Sequence, residues 1–274
     1  MLYCGKLAKD IRAMNQAKQL EHLADSKEER IALAHILEQY ERSRQRNVPI
    51  YTGFLSPAQQ TAALTLLQGC GARAEELLFW GGYEGAERKL LCFLPDWMSE
   101  PEAELRLLEC AYPMHPKLSH RDLLGSLMAM GITRERLGDI LVQEERAQVL
   151  VLGETADWLL ENWRSAGTAR FTPQEVPLSE LHPPALRVRE IRDTVATLRL
   201  DAVLASGFST SRSRAAELIS AGRVQVNHRD CTKSDRLLCE GDILTVRGLG
   251  KCQLAAVGGL SKKGRIGLLL KRFE

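Results

Sequence analysis

The sequence lacks any apolar run that approaches the ~18 residues of a membrane-spanning helix. Its N-terminus also lacks the apolar stretch of a signal peptide, so we expect a cytoplasmic protein with no membrane partner. The seven cysteines include no Cys-x-x-Cys pair, and histidines do not cluster near them. We therefore expect reduced and mostly buried thiols, with no disulfide, no metal site and no cofactor.

Several catalytic motifs are absent or incomplete. The His-Arg-Asp sequence at residues 120–122 is similar to a kinase catalytic loop, but Leu127 stands where that loop needs Asn. The Gly-Leu-Gly sequence at 248–250 continues to Gln253 instead of Gly, so the dinucleotide fingerprint fails. There is no Walker loop and no His-Glu-x-x-His sequence. We expect no catalytic residue, and we interpret Asp122 as the start of a helix.

Aromatic residues are scarce at the C-terminal end, where residues 185–274 contain only Phe208 and Phe273. This scarcity disfavours base stacking on single strands. The same residues carry 17 Lys+Arg against 9 Asp+Glu, a net charge of +8, whereas residues 1–184 carry 20 against 26, a net charge of −6. A basic end on an acidic body is typical of a nucleic-acid binder, and the composition favours phosphate and shape recognition of structured RNA.

Helix and turn signals divide the chain into an α+β arrangement of three domains. We expect a helical N-terminal domain over residues 1–71, an α+β domain over 72–176, a linker over 177–186 and a C-terminal domain over 187–274. A capping-box spacing begins at Ser26, the Asn-Val-Pro sequence at 47–49 breaks that helix, and Ser56-Pro57 begins a second helix that runs to Gly69. Prolines mark the linker.

The middle domain has the pattern of a split βαβ fold, similar to RNA-recognition-motif (RRM) domains. The pattern predicts two helices, at residues 122–130 and 154–164, and strands at residues 77–80, 90–94, 139–142, 148–151 and 169–171. Residues 139–152 contain no aromatic side chain, so the usual base-stacking strands are missing. A structural or protein-contacting role stays open for this domain.

The C-terminal domain is organised around a short helix followed by two strands. Ser211 is placed to cap the helix, and Gly222 is placed to end it in the left-handed conformation. Strands are predicted at residues 224–226 and 243–246. Arg212 and Arg214 lie in the first helical turn, where the helix dipole disfavours positive charge. A phosphate bound there would make the position of both arginines favourable.

The order of residues from Leu200-Asp201 through Ser211-Arg212 and the Gly-Arg-Val-Gln-Val-Asn sequence at 222–227 to Gly241-Asp242 resembles the ribosomal protein S-four type (alpha-L) RNA-binding domain. His228 departs from the glycine usual in that family. It makes a tight two-residue turn less favourable and leaves room for a longer loop through Cys231. The Arg-Leu-Asp sequence at 199–201 is also similar to a pseudouridine synthase motif, but too few residues follow for that catalytic domain, so we expect Asp201 to begin a helix.

Longer stretches resemble the bacterial YlmH family along nearly the whole chain. They are residues 52–57, 118–127, 131–135, 138–140, 250–251 and 263–265. We expect a non-enzymatic, monomeric protein, and the resemblance implies a role in ribosome-associated quality control. It also implies binding to large-subunit rRNA and peptidyl-tRNA on obstructed large ribosomal subunits.

The candidate RNA-binding residues lie in the C-terminal domain, and most are cationic. They are Arg199, Ser211, Arg212, Arg214, Arg223, Asn227, Lys233, Arg236, Arg247, Lys251, Lys262, Lys263 and Arg265. Two other functions stay open. One is an RNA-modification-related protein, because alpha-L domains often guide a catalytic partner domain. The other is a protein-interaction scaffold in cell division or photosystem maintenance, which would use the acidic body as its contact surface.

Overall fold

The computed structural model of the protein describes residues 20–21, 23–24, 26–101, 105–113, 118–183, 188–261 and 264–273. The chain forms two compact units, residues 1–184 and 185–274. Both units combine helices with antiparallel sheets, so the predicted α+β class is confirmed.

Two capped helices form one layer of the first unit, as the sequence predicts. Helix α1 spans Lys27–Arg46, and the Ser26 hydroxyl accepts the N–H of Glu29 at its start. Helix α2 spans Pro57–Gly69 and begins with a full capping box at Ser56. These caps satisfy N–H groups that have no partner within a helix, which is why the sequence signals at both starts are reliable.

Three short antiparallel strands pack against these helices in the order β1-β3-β2; they are β1 at Ile50–Tyr51, β2 at Leu77–Trp80 and β3 at Leu90–Phe93. The core between the layers includes Leu33, Leu66 and Leu91. The sequence analysis assigned the β2–β3 hairpin to the middle domain. The structure places it in the N-terminal sheet, because Ile50 pairs with Phe93. An apolar run predicts a strand but does not identify its neighbour.

A second antiparallel sheet has the strand order β5-β6-β4-β9; its strands are β4 at Leu105–Ala111, β5 at Leu137–Val142, β6 at Arg146–Leu152 and β9 at Gln174–Val176. Helices α3 (His120–Ala129) and α4 (Gly153–Asn162) connect them in the order βαββαβ. This is the predicted split βαβ topology.

Two strands of this sheet differ from the sequence prediction. The first strand is β4, which the sequence analysis did not assign. The predicted last strand at residues 169–171 is also displaced, because β8 (Ala169–Arg170) pairs only with β7 (Ser165–Ala166). The edge position beside β4 is taken by β9.

The second sheet is covered on both faces. On one face, α3 and α4 bury Leu108, Val149 and Trp163. On the other face, Leu107 and Leu150 pack in a separate core with side chains of the N-terminal sheet. The first unit is therefore layered as helices, sheet, sheet and helices around three hydrophobic cores.

The second unit wraps two helices against a six-stranded antiparallel sheet of order β10-β15-β14-β13-β11-β12. Its elements are β10 at Val188–Val195, α5 at Leu200–Gly207, α6 at Arg212–Ser220, β11 at Val224–Val226, β12 at Arg229–Asp230, β13 at Ile243–Val246, β14 at Gly250–Leu260 and β15 at Ile266–Phe273. Leu204, Ile219, Leu244 and Leu270 lie in its core.

The predicted helix and strands of this unit are present. The Ser211 hydroxyl accepts the N–H of Arg214 at the start of α6, and Gly222 follows the helix with a φ of 65°. Strands β11 and β12 are joined by a two-residue turn in which Asn227 and His228 have φ of 51° and 64°. The tight turn therefore forms despite the missing glycine, since both residue types tolerate the left-handed region better than most.

Candidate RNA-binding surface

A buried carboxylate joins the starts of helices α5 and α6. Asp201 is 7% exposed. Its Oδ2 accepts a hydrogen bond of 2.8 Å from Arg212 Nη2, and its Oδ1 lies 3.2 Å from Arg199 Nε. Burial alone would raise the pKa of the Asp201 carboxyl, but the hydrogen bonds and charges of the two arginines outweigh burial and lower it. Arg199 and Arg212 are therefore held side by side, with Arg212 more than half exposed.

The loop before β13 closes over the start of α5. The N–H of Leu200 donates to the carbonyl of Arg236, and the N–H of Asp201 donates to the carbonyl of Ser234. These contacts satisfy two N–H groups of the first helical turn. They also bring the exposed residues Lys233 and Arg236 to the same end of the helix. Four predicted residues, Arg199, Arg212, Lys233 and Arg236, thus form what we call the helix-start cluster.

Arg214 occupies the solvent side of α6 and makes a surface ion pair. Its Nη1 lies 2.7 Å from Glu217 Oε2, and both side chains are more than half exposed. Exposed ion pairs contribute ~0.2–1 kcal/mol to stability, so a phosphate can replace Glu217 as the partner of Arg214 with little loss of free energy. Ser211 itself acts as the helix cap, which makes it a structural residue.

A second basic cluster, the turn cluster, lies beyond the C-terminal end of α6 and consists of Arg223 and Arg247. Arg223 Nη2 donates to the carbonyl of Arg247 at 2.9 Å, and the N–H of Arg247 donates back to the carbonyl of Arg223. Gly248 has a φ of 86°, and a Cβ there would lie 3.3 Å from Arg223 Nη2. The positive φ favours glycine at this turn. Asp230 is the nearest acid, 3.9 Å from Arg247.

The remaining candidate residues have other surroundings. Asn227 links the end of β11 to the start of β13, because its amide donates to Asp242 and its side-chain oxygen accepts the N–H of Ile243. Lys251 lies over the Phe273 ring at 5.5 Å. Arg265 donates to Thr194 at the opposite end of β15 from Phe273. Lys262 and Lys263 lie outside the described residues.

The two basic clusters are separated by the length of α6. Nine helical residues give a rise of roughly 14 Å between them. Guanidinium groups at both ends of one helix suit contacts with more than one phosphate of a folded RNA. The cations of both clusters are among the candidates that the sequence analysis named. That analysis placed Asp201 at a helix start but did not predict its contact with Arg212, eleven positions further along the chain.

Three family models match the chain, described as "YlmH, N-terminal" at residues 28–96, "Putative RNA-binding domain in YlmH" at 99–180 and "S4 domain" at 198–244. The "Ribosome-associated protein quality control protein P2" of Bacillus subtilis (strain 168) is 36% identical over 218 residues, which is 78% of this chain and 83% of the relative. This chain belongs to the YlmH family. The resemblance predicted from its motifs is confirmed, and the chain carries the N-terminal domain, the putative RNA-binding domain and the S4 domain of that family.

A solved structure of a YlmH protein, "Cell division protein ylmH from Streptococcus pneumoniae", also matches part of this YlmH-family chain. It is 25% identical and has a TM-score of 0.47, and the match covers 57% of this chain and 96% of that structure.

The RRM-like sheet of this YlmH-family chain does not present the face with which such sheets usually stack bases. The sequence analysis found no aromatic side chain at residues 139–152, which form β5 and β6, and the structure adds that this face is closed. Gln148 is fully buried there, and its amide donates to Glu109 and to the carbonyl of Glu180. Leu107 and Leu150 on the same face are also buried. RNA cannot reach these positions in this arrangement.

The family motifs of the first unit meet at the junction of its two sheets. The N–H of Phe54 donates to the carbonyl of Glu135 at 2.7 Å. Arg88 is 9% exposed and donates to the carbonyls of Phe54, Arg134 and Leu137. A side chain that satisfies three carbonyls from separate segments is a structural link. The motifs at residues 52–57 and 131–140 are therefore explained by packing in this unit.

The kinase-like sequence has a structural explanation as well. Asp122 forms a capping box with Ser119 at the start of α3, as predicted for a helix-start residue. Hydrogen bonds from Ser119 lower the pKa of the Asp122 carboxyl. Burial lowers the pKa of His120, and the charge of Arg134 lowers it further.

No helix in the described parts of the chain has the length and apolarity needed to cross a membrane. The described residues also contain no group of His, Cys, Asp or Glu side chains arranged to hold a metal ion. Their six cysteines are free thiols, four of them buried.

Proposed function

We propose that this chain is a non-enzymatic, cytoplasmic component of ribosome-associated quality control. Its S4 domain would contact large-subunit rRNA and peptidyl-tRNA on obstructed large ribosomal subunits. The observation that carries the proposal is the pair of basic clusters at the two ends of α6, on a unit with a net charge of +8. The name of the Bacillus subtilis relative supports the ribosomal setting.

The chemistry of the clusters suits phosphate recognition. Asp201 fixes Arg199 and Arg212 in one orientation, so less side-chain freedom is lost when a phosphate binds between them. Arg214 adds a cation beside the first turn of α6, where backbone N–H groups already favour an anion. Few aromatic residues accompany these cations, which favours a folded RNA over an unpaired strand.

Sedimentation through a sucrose gradient tests the function directly. The purified protein is mixed with large subunits that carry peptidyl-tRNA and, separately, with empty large subunits and with small subunits. We expect co-sedimentation with large subunits, and more of it when peptidyl-tRNA is present. Migration as a free protein in all three mixtures would contradict the proposal. Equal co-sedimentation with both subunits would reduce it to general RNA binding.

The non-enzymatic part of the proposal has its own test. Ribosomal RNA and tRNA are incubated with the protein and then digested to nucleosides for mass spectrometry. We expect the same nucleoside composition with and without the protein. A new modified nucleoside would show that the chain is an RNA-modifying enzyme instead.

A further inference from the structure

The acidic surplus of the chain is confined to its middle part. Residues 99–180 carry 14 Asp+Glu against 8 Lys+Arg, a net charge of −6, whereas residues 1–98 carry 12 of each. The family model that matches residues 99–180 is described as a putative RNA-binding domain. A net negative module repels phosphate, and the usual RNA face of its sheet is closed by Leu107, Gln148 and Leu150.

The outer face of helix α4 has a different composition from the rest of this part. Glu154, Asp157, Trp158 and Glu161 occur at positions i, i+3, i+4 and i+7, so they share one face of the helix. All four are exposed, and Trp158 keeps 41% of its surface accessible. The opposite face is buried in the core, which fixes the orientation of the helix. This face therefore combines one accessible indole with three carboxylates on neighbouring helical turns.

Three arginines lie at the borders of this face. Arg106 bridges Asp157 and Glu175, while Arg136 Nη1 is 3.5 Å from Glu154 Oε2. Arg164 donates to the carbonyl of Leu160 at the end of the helix. Three carboxylates, those of Glu154, Asp157 and Glu175, are thus paired with Arg106 or Arg136, and the surrounding part adds further negative charge. Glu161 has no ion pair among the residues that the structure describes.

We infer that this face of α4 is a docking surface for a lysine- and arginine-rich protein segment of the ribosomal particle. The inference rests on the proposed function, because it takes the particle as the site where the segment is met. The aliphatic stems of Lys and Arg pack on an indole, and their charged ends reach carboxylates nearby. Tryptophan is also among the residues that contribute most to protein interfaces. Phosphate would be repelled by the same carboxylates.

Charge reversal distinguishes a protein partner from RNA by the sign of its effect. Glu161→Lys should weaken binding to intact ribosomal particles about 5-fold or more if the partner is basic, because like charges then face each other. The same change should strengthen binding if α4 faces phosphate. Glu144→Lys is the matched control, since Glu144 is an exposed acid of the same part in the β5–β6 turn, at the far end of β6 from α4.

Truncation of the indole tests the apolar contribution. Trp158→Ala should weaken binding to intact particles about 10-fold, the loss typical of a central interface tryptophan. Trp97→Ala is the control, because Trp97 is another exposed tryptophan of the first unit, 61% accessible and outside α4. Thermal unfolding checks that each variant is folded. If Trp158→Ala does not fold, Glu161→Lys still decides the test.

Binding is measured to intact particles and to protein-free rRNA prepared from them. The inference is supported if both α4 variants bind intact particles more weakly, while the control variants bind them normally and binding to protein-free rRNA is unchanged. Unchanged or tighter binding of Glu161→Lys, or equal losses on protein-free rRNA, overturn it while the proposed function stands. Failure of the unaltered protein to bind either material would contradict the proposed function itself.

Discussion

At the scale of single residues, Asp201 orients two arginines of the helix-start cluster, and their charges offset the cost of burying its carboxylate. Its lowered pKa means that the folded state favours the ionised carboxyl. The resulting stability is present above the unfolded pKa of ~3.9 and is lost as the pH falls through the lower folded pKa. Asp201→Asn should therefore lower the free energy of unfolding at pH 7 by about 1–2 kcal/mol. It should also flatten the dependence of stability on pH in the acid range.

Urea unfolding of both proteins at a series of pH values measures this effect. The difference between the unaltered protein and Asp201→Asn should shrink as the pH is lowered below the unfolded pKa of ~3.9. A difference that stays constant down to acid unfolding would show that the carboxylate charge is not responsible.

Arg214 and Glu217 provide a pair of opposite predictions. Arg214→Gln should weaken RNA binding and reduce the slope of log affinity against log salt by ~0.7–0.9, which corresponds to one lost phosphate contact. Glu217→Gln should strengthen binding, because it removes the acid that lies 2.7 Å from Arg214 and competes with phosphate. Filter binding at several salt concentrations measures both. The same direction of change in both variants would exclude Arg214 as a phosphate ligand.

At the scale of elements, burial of one face of the RRM-like sheet should be measurable in the free energy of unfolding. Leu107 on β4 is 1% exposed and packs in the core between the two sheets of the first unit. Leu107→Ala should lower the free energy of unfolding by about 2–5 kcal/mol. On an open RNA-binding face the same change would cost far less.

Chemical denaturation compares Leu107→Ala with a control on the same unit. Ile31 on α1 is 60% exposed, so Ile31→Ala should change stability by less than ~0.5 kcal/mol. Similar small effects of both substitutions would mean that the sheet face is accessible in solution.

Sequence reasoning predicted the elements with local signals and missed those defined by distant contacts. The caps of α1, α2, α3 and α6 involve side chains within three residues of each helix start, so their positions are visible in the sequence. Strand β4 carries buried side chains on both faces, such as Leu107 and Leu108, and therefore lacks an alternating pattern. The contact between Arg212 and Asp201 depends on the packing of two helices, which no local spacing shows.

At the scale of the whole molecule, charge is divided unevenly along the chain. The C-terminal 90 residues carry +8, and the middle part carries −6. If the six arginines at positions 199, 212, 214, 223, 236 and 247 each meet a phosphate, the slope of log affinity against log salt should be about −4 to −5.

Titration of the full chain with structured rRNA between about 50 and 200 mM salt measures this slope. A slope near zero would mean that phosphate contacts do not determine binding. A slope much steeper than expected would require cations beyond these six, such as Lys251 or Arg265.

The buried guanidinium of Arg88 has a consequence for how the first unit comes apart. Its acceptors are the carbonyl of Phe54, in the segment after β1, and the carbonyls of Arg134 and Leu137 just before and at the start of β5, so neither family module alone provides all of them. A fragment ending between the two family models, near residue 97, would expose both Arg88 and the leucines that cover the second sheet. Sequence families divide this unit in two, but it should melt in a single cooperative transition, and a protease should release it whole.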